Sequence, residues 1–493
     1  MDSINSSKKI NLTGAILIII SQVVGIGIFF KNGSVFKNND NNPYGVLASW
    51  LLAAIIIMCI ALSIVKVANM HQKNCKYEGI SKWMNTVIGH RISRFSANIM
   101  NLCFYPILGV VLAFFSVEAI FAIFNGYNQP IYLLVITTIG LTILFVSLNF
   151  ISEKISMKAG VIAGYIKFLP MIICVIACIV IVIKGNNINF FDNSQTQVSV
   201  GSFNVLNVLD SLPATLFAFN GYLVVGEMGH KIKDPQKNTG RAIIIAVLII
   251  AGIYIATSLT LIIVGDANGN VLAILNLIFG DNVGPRIMSC VLLFVALGST
   301  ISFLMVSFHT ITKQIENKDL VGYDKLKRLN NKRHNLGNLV GTSLVLSVWA
   351  IIVFVPTLIL KTDQPIDIVS NNISLALLIL CGIVCSHQFI IMVKKPNSYK
   401  TFDIIIAFFA AFFLIGAIGY YSLWAEIVTP ILHPGTESNT GVFFTNPNFI
   451  MKLNYEAIIY WTFMIGIAAF PFACDGLIKL TNKKYSEKYI WSK

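Results

Sequence analysis

Runs of about twenty apolar residues recur from one end of this chain to the other, the length a helix needs to cross a hydrocarbon core. Nothing constrains the fold more. In lipid every backbone N–H and C=O must find its partner inside the chain, so such runs become helices. The composition agrees, with 56% hydrophobic and only 12% charged residues in 493. Twelve spans are expected, at 10–30, 44–69, 95–124, 129–150, 157–184, 205–229, 241–265, 285–311, 338–360, 369–393, 401–425 and 455–479. The opening Lys8-Lys9 and apolar run look like a secretory leader but lack a small-residue cleavage site, so they read as the first span.

Charge tests this map independently. Numbering the connections alternately, 29 of the 36 Lys and Arg fall on the side of the N-terminus and six on the other, with Lys167 left inside a span. That asymmetry places both termini in the cytoplasm of a protein in the cytoplasmic membrane. The net charge of +14 therefore needs no nucleic-acid partner. None of the nine cysteines falls in an outer connection, so no disulfide framework is expected. The pairs Cys174/Cys178 and Cys381/Cys385 read as small packing residues, not metal ligands.

Two spans are interrupted. Gly25-Ile26-Gly27 breaks the first, and Phe217-Ala-Phe-Asn-Gly-Tyr222 breaks the sixth. Unwound backbone inside a bilayer is tolerated only where protein buries it or a cavity needs it. Paired breaks at corresponding places in two halves point to a transporter's binding site. Spans one to five (10–184) and six to ten (205–393) would form the halves, with 401–479 appended. Five is odd, so the second half enters from the opposite side and the halves are inverted. Free N–H groups and a positive dipole end suit a carboxylate at one side of a break. Free carbonyls at the other suit an ammonium group. An amino acid zwitterion offers both.

Ser21-Gln-Val-Val-Gly-Ile-Gly-Ile-Phe29 resembles the first-helix signature Gly-x-x-Ile/Val-Gly-x-Gly-Ile/Val-Phe of the amino acid–polyamine–organocation (APC) superfamily. The sixth-span block, followed by Lys233-Asp-Pro-Gln-Lys-Asn-Thr-Gly-Arg-Ala242, is similar to the same family's second signature. Ser21 replaces a glycine, Ile26 a small residue and Gly240 a proline. The resemblance implies an all-α bundle of the leucine-transporter type, a 5+5 inverted repeat plus two helices. It implies that the N–H groups of Gly25, Ile26 and Gly27 hold a substrate carboxylate. The carbonyls near Val23, Phe217 and Asn220 would hold the amino group, Gly221 and Tyr222 would complete the break, and Phe217 would lie over the site.

Lys167 sits ten residues into span five, about 15 Å from its inner end, where an unpaired lysine costs roughly 2.5–3.5 kcal/mol on insertion scales. By resemblance, the segment Tyr165-Ile-Lys-Phe-Leu-Pro170 places this lysine where sodium-coupled relatives hold their ion, so it would couple protons to substrate. Ser299, Thr300 and Ser302 on span eight would complete that site. Glu118, about 9 Å from the outer end of span three, is a selectivity group, a proton carrier or a neutral, hydrogen-bonded acid.

The expected function is secondary transport of an amino acid, coupled to protons or to a counter-substrate, with no cofactor and no enzymatic step. A polyamine carrier and a transporter-derived nutrient sensor share these motifs. A major-facilitator carrier would show a charged loop after span two, which His71 to Lys76 is not.

Overall fold

In a computed structural model, the described residues are 10–70, 75–124, 129–152, 201–223, 232–264, 284–437 and 451–481, with Ile162, Ile166, Ile172, Ile176 and Ile179. Among them the chain is all-helical, with two isolated bridges and no strand. Among the described residues, nine helices are long and apolar enough to cross a membrane. Two shorter apolar stretches, Leu12–Val23 and Val205–Ala218, stand where the interrupted spans are expected. Of the fifth expected span only these five isoleucines are described, and Lys167 lies outside the described residues.

Helix α1 (Leu12–Val23) starts at Asn11, whose side chain accepts from the Gly14 N–H at 2.8 Å. It stops at Val24, and α2 (Ile26–Asn38) resumes after an extended Gly25. Helix α2 runs past the expected limit at residue 30, so Lys31 lies inside the bundle and not in an outer connection. Helix α3 (Pro43–Asn69) follows a second Asn cap with proline at its first turn. Two short helices, α4 (Gly79–Val87) and α5 (His90–Asn98), lead through a π-turn at Ile99–Phe104 into α6 (Tyr105–Phe124), and α7 is Ile131–Ile151.

The second half opens with the short α8 (Val205–Asp210) and α9 (Leu212–Ala218), then α10 (Pro235–Val264) and α11 (Gly284–Glu316). A connecting α12 (Tyr323–Lys332) leads to α13 (Leu336–Leu360) and α14 (Gln364–Lys394). Helix α14 begins five residues before its expected start, because Asp363 and Pro365 open a helix whose first turns are polar yet buried. Last come α15 (Thr401–Gly419), a π-turn at Tyr420–Val428, α16 (Thr429–Leu432) and α17 (Leu453–Thr481).

Burial sorts the helices by position. The most apolar stretch of α5–α6 is 78% buried, whereas that of α15–α16 is 22% buried. Long apolar side chains such as Ile351, Phe402 and Ile415 point outward, the surface a bilayer covers and water would not. Helices α6 and α11 pack along each other, with α14 buried nearly throughout and touching α6, α9, α15 and α17.

At the face where α4, α5, α11 and α17 end, Asp319 gathers cations. Lys76 lies 2.6 Å from it and Arg94 3.5 Å, and Arg94 reaches Asp475 at 2.8 Å. The Tyr77 hydroxyl donates to Asp319 at 2.9 Å, and burial beside that carboxylate pushes its phenol above the ordinary range. Lys313 pairs with Glu78 at 3.0 Å.

Candidate substrate site at the crossing of two broken helices

The two breaks abut. A Cβ on Gly27 would stand 2.5 Å from Ala218 Cα and 2.9 Å from its Cβ, so only a glycine lets α2 lie this close to α9. Gly221 adopts φ +101°, a conformation L side chains rarely take, and faces the Gln22 backbone. Past Ala218 the helix loosens into turns, with Asn220 N–H donating to Phe217 O at 3.0 Å. Gly25 caps α2 without a side-chain hydrogen bond to the first turn. The carbonyl ends of α1 and α9 thus lie beside an N-terminus that has no side-chain cap.

One residue the sequence reading missed ties the breaks together. The buried Tyr254 on α10 directs its hydroxyl to Val23 O at 3.1 Å and Ala218 O at 2.8 Å. A carbonyl has two lone pairs, so each end keeps one acceptor site. Trp50 and Phe219 pack edge-on against the tyrosine ring, at 5.4 and 5.1 Å. Tyr254→Phe keeps that packing and removes the shared donor. The loss should lower the melting temperature by an amount matching about 1 kcal/mol and weaken substrate binding; equal binding to both proteins would deny Tyr254 this role.

The expected site residues divide by where they point. Asn220 Nδ2 donates to Ser374 Oγ on α14 at 2.5 Å, and Ser374 in turn donates to Ser370 O at 2.8 Å. Tyr222 is buried with its hydroxyl 3.8 Å from Cys381 Sγ, so it faces α14. Ser299 Oγ lies 3.1 Å from where a Gly25 Cβ would stand, which puts span eight against the first break. Thr300 bonds Ser116 on α6 at 2.9 Å, and Ser302 bonds its own helix at 2.8 Å. All three hydroxyls also donate to the carbonyl four residues back. For Ile26 the described part is the backbone alone.

Above the breaks, toward the far end of α2, lies a charged group that the sequence reading missed. Lys31, six residues or about 9 Å beyond Gly25, forms a fully buried ion pair with Asp367 and donates to Ser370 at 2.9 Å. Its ammonium stands 4.7 Å from the centroid of the Phe217 ring. Glu118 is wholly buried and its charged neighbours are Asp363 and Asp367. The signal for this group was present as Asp367, Ser370, Asn371 and Ser374, a polar stripe at helical spacing that starts in the connection just before the tenth expected span and runs into it.

A bundle of apolar helices in which two broken segments meet at a buried crossing is the architecture of a multi-pass membrane transporter. The chain belongs to the amino acid permease family, whose model matches residues 10–470. It is 26% identical over 339 residues to the serine/threonine exchanger SteT of Bacillus subtilis, covering 66% of this chain and 72% of SteT. It is 21% identical over 290 residues to an uncharacterized protein of Mycoplasma pneumoniae, and 22% over 251 residues to the mouse b(0,+)-type amino acid transporter 1. The chain spans about half the length of these last two. In fold it is similar to a manganese transporter of Eremococcus coleocola, with a TM-score of 0.55, 97% of each chain covered and 11% identity.

Proposed function

We propose that this permease moves an amino acid across the cytoplasmic membrane by alternating access, as a proton-coupled symporter or an exchanger. The observation that carries this reading is the abutment of the two breaks, which sets an N-terminus with no side-chain cap beside two carbonyl ends. The substrate carboxylate takes the N–H groups of Gly25, Ile26 and Gly27. Its ammonium takes the carbonyls at Val23, Phe217 and Asn220, with Gly221 and Tyr222 shaping the second break. Lys31, Asp367 and Phe217 then form the gate above the substrate, on the side away from the termini.

Coupling rests with Lys167, supported by Ser299 and Thr300, and with Glu118 as a second proton group. Residues 10–184 and 205–393 act as inverted repeats, 401–479 as added helices, and both termini lie in the cytoplasm. The partners are the amino acid, a proton or counter-substrate, and lipid; no nucleic acid, cofactor or catalytic step enters.

Purified protein in liposomes tests this reading. Uptake of labelled amino acids is measured with and without an internal amino acid, and with and without an inward proton gradient. Uptake of at least one side-chain class is expected, with Lys167→Ala removing its pH dependence. Binding without flux would make the protein a sensor. Neither binding nor flux for any amino acid would overturn the zwitterion site.

A further inference from the structure

Helix α12 and the residue after it carry five closely spaced cations, Lys325, Lys327, Arg328, Lys332 and Arg333, and all five are exposed. Asp324, one turn before Arg328, is the only acid of this helix. At the same end of the bundle Lys76, Arg94 and Lys313 each lie within 3.0 Å of a carboxylate. None of the five has an ion-pair partner among the described residues.

The helix that bears them is fixed against the bundle. Left-handed residues bound it, Gly322 at φ +73° before and Asn335 at φ +59° after. Tyr323 and Leu326 are buried, the latter in an apolar cluster with Ile311, Ile315 and Leu320. A Cβ on Gly337 would collide with the Leu326 carbonyl, so the first turn of α13 rests directly on α12. Asn330 and Asn338 close the contact, with Asn330 Nδ2 donating to Asn338 Oδ1 at 2.7 Å and Asn338 N–H donating to Asn330 Oδ1 at 3.1 Å. With the apolar side pinned, Lys325, Arg328 and Lys332 form a stripe at helical spacing that faces away from the protein.

The kind of partner follows from shape and place. A helix face is convex, whereas small soluble anions are held in concave sites. Lipid phosphates form a charged field that a row of cations meets without a pocket. Only Arg333, His334 and Asn335 separate α12 from α13. On α13 the exposed Leu344 stands eight residues beyond Leu336, about 12 Å, so α12 joins its span beside the polar layer of a bilayer. Orienting the chain during insertion needs positive charge on one side, but neither a folded helix nor a fixed stripe.

We propose that α12 is a docking surface for the headgroups of anionic phospholipids in the adjoining leaflet, the cytoplasmic one in the orientation given above. The group recognised is the lipid phosphate, which the Arg328 guanidinium meets with two N–H donors and the lysines meet as point charges. Because α12 rests on α13 and follows α11, the lipid holds the connection between these two spans at the membrane surface.

Lipid retained by the purified full chain tests this surface. Protein in a neutral detergent is incubated with equal amounts of phosphatidylglycerol and phosphatidylcholine of the same acyl chains, and bound lipid is counted by mass spectrometry. Wild type should favour phosphatidylglycerol, and added salt should reduce that preference. Each cation beside an anionic surface is worth about fivefold, so Lys325→Gln/Arg328→Gln/Lys332→Gln should lower the preference about tenfold or more. Lys394→Gln/Lys395→Gln/Lys400→Gln removes as many exposed cations from the connection between α14 and α15, at the same end, and should leave it unchanged. An equal fall in that control would spread the effect over the whole charged face and overturn the proposal. So would the absence of a preference in wild type, an undiminished one in the α12 variant, or displacement of the lipid by inorganic phosphate. If the triple variant elutes as aggregate, Arg328→Gln alone carries the test, with a loss of about fivefold expected. The readout is bound lipid and not flux, so the surface stands or falls apart from amino acid transport.

Discussion

Replacing Asp367 with alanine should destabilise the folded protein by roughly 3–5 kcal/mol, the cost of stranding a buried charge. Lys31 and Asp367 are each 1% exposed, so neither can turn to water when its partner is removed. The remaining contacts of Lys31, Ser370 and the Phe217 face, are a neutral acceptor and a weak one. Lys31→Met alone should also be harmful, because it leaves Asp367 near Glu118 and Asp363 with no cation between them. The double variant Lys31→Met/Asp367→Leu should recover most of the loss, since apolar replacements of both partners are often neutral or better. Thermal unfolding of all four proteins in one detergent measures this. A single variant that melts like wild type would mean that the pair is hydrated. Transport separates stability from gating: the double variant should fold and bind substrate, yet leak or run slowly without its latch.

The second large effect is expected at Gly27. Alanine there puts a methyl carbon 2.5 Å from Ala218 Cα, a backbone atom that cannot rotate away. The two broken helices must separate by about 1 Å, a displacement that can cost roughly a hundredfold where groups act together on a ligand. Uptake should fall by about that factor while the protein still reaches the membrane and elutes as one species. Gly252→Ala is the control, because its added methyl meets nothing within 4 Å and exchanges glycine for a better helix former. Equal activity in Gly27→Ala and wild type would show that the close approach at the crossing is dispensable.

The expected positions of eleven spans match described helices, and both breaks lie where the glycines put them. These features are local: apolar length marks a span, and glycines between apolar residues mark an interruption. What was hidden depends on partners far apart in the chain. Lys31 follows Phe30 at the edge of an apolar run and reads as an interfacial charge. Only Asp367, 336 residues later, makes it a core residue. Tyr254 has the same difficulty, being one aromatic in an apolar helix until two carbonyls from other segments converge on it. Asp367 itself was lost because a polar first turn looks like a loop, although Pro365 is well suited to open a helix.

The two ends of the bundle are fastened by ion pairs in different surroundings. Around Asp319 the cations Lys76 and Arg94 remain 31% and 21% exposed, within reach of dissolved ions. The Lys31–Asp367 pair is sealed from them. Added salt therefore loosens one end of the carrier and leaves the other untouched, because screening acts only where ions can enter. Ionic strength becomes a one-sided lever: under the alternating access proposed above, it should tilt the resting balance between the two orientations without competing for the substrate itself.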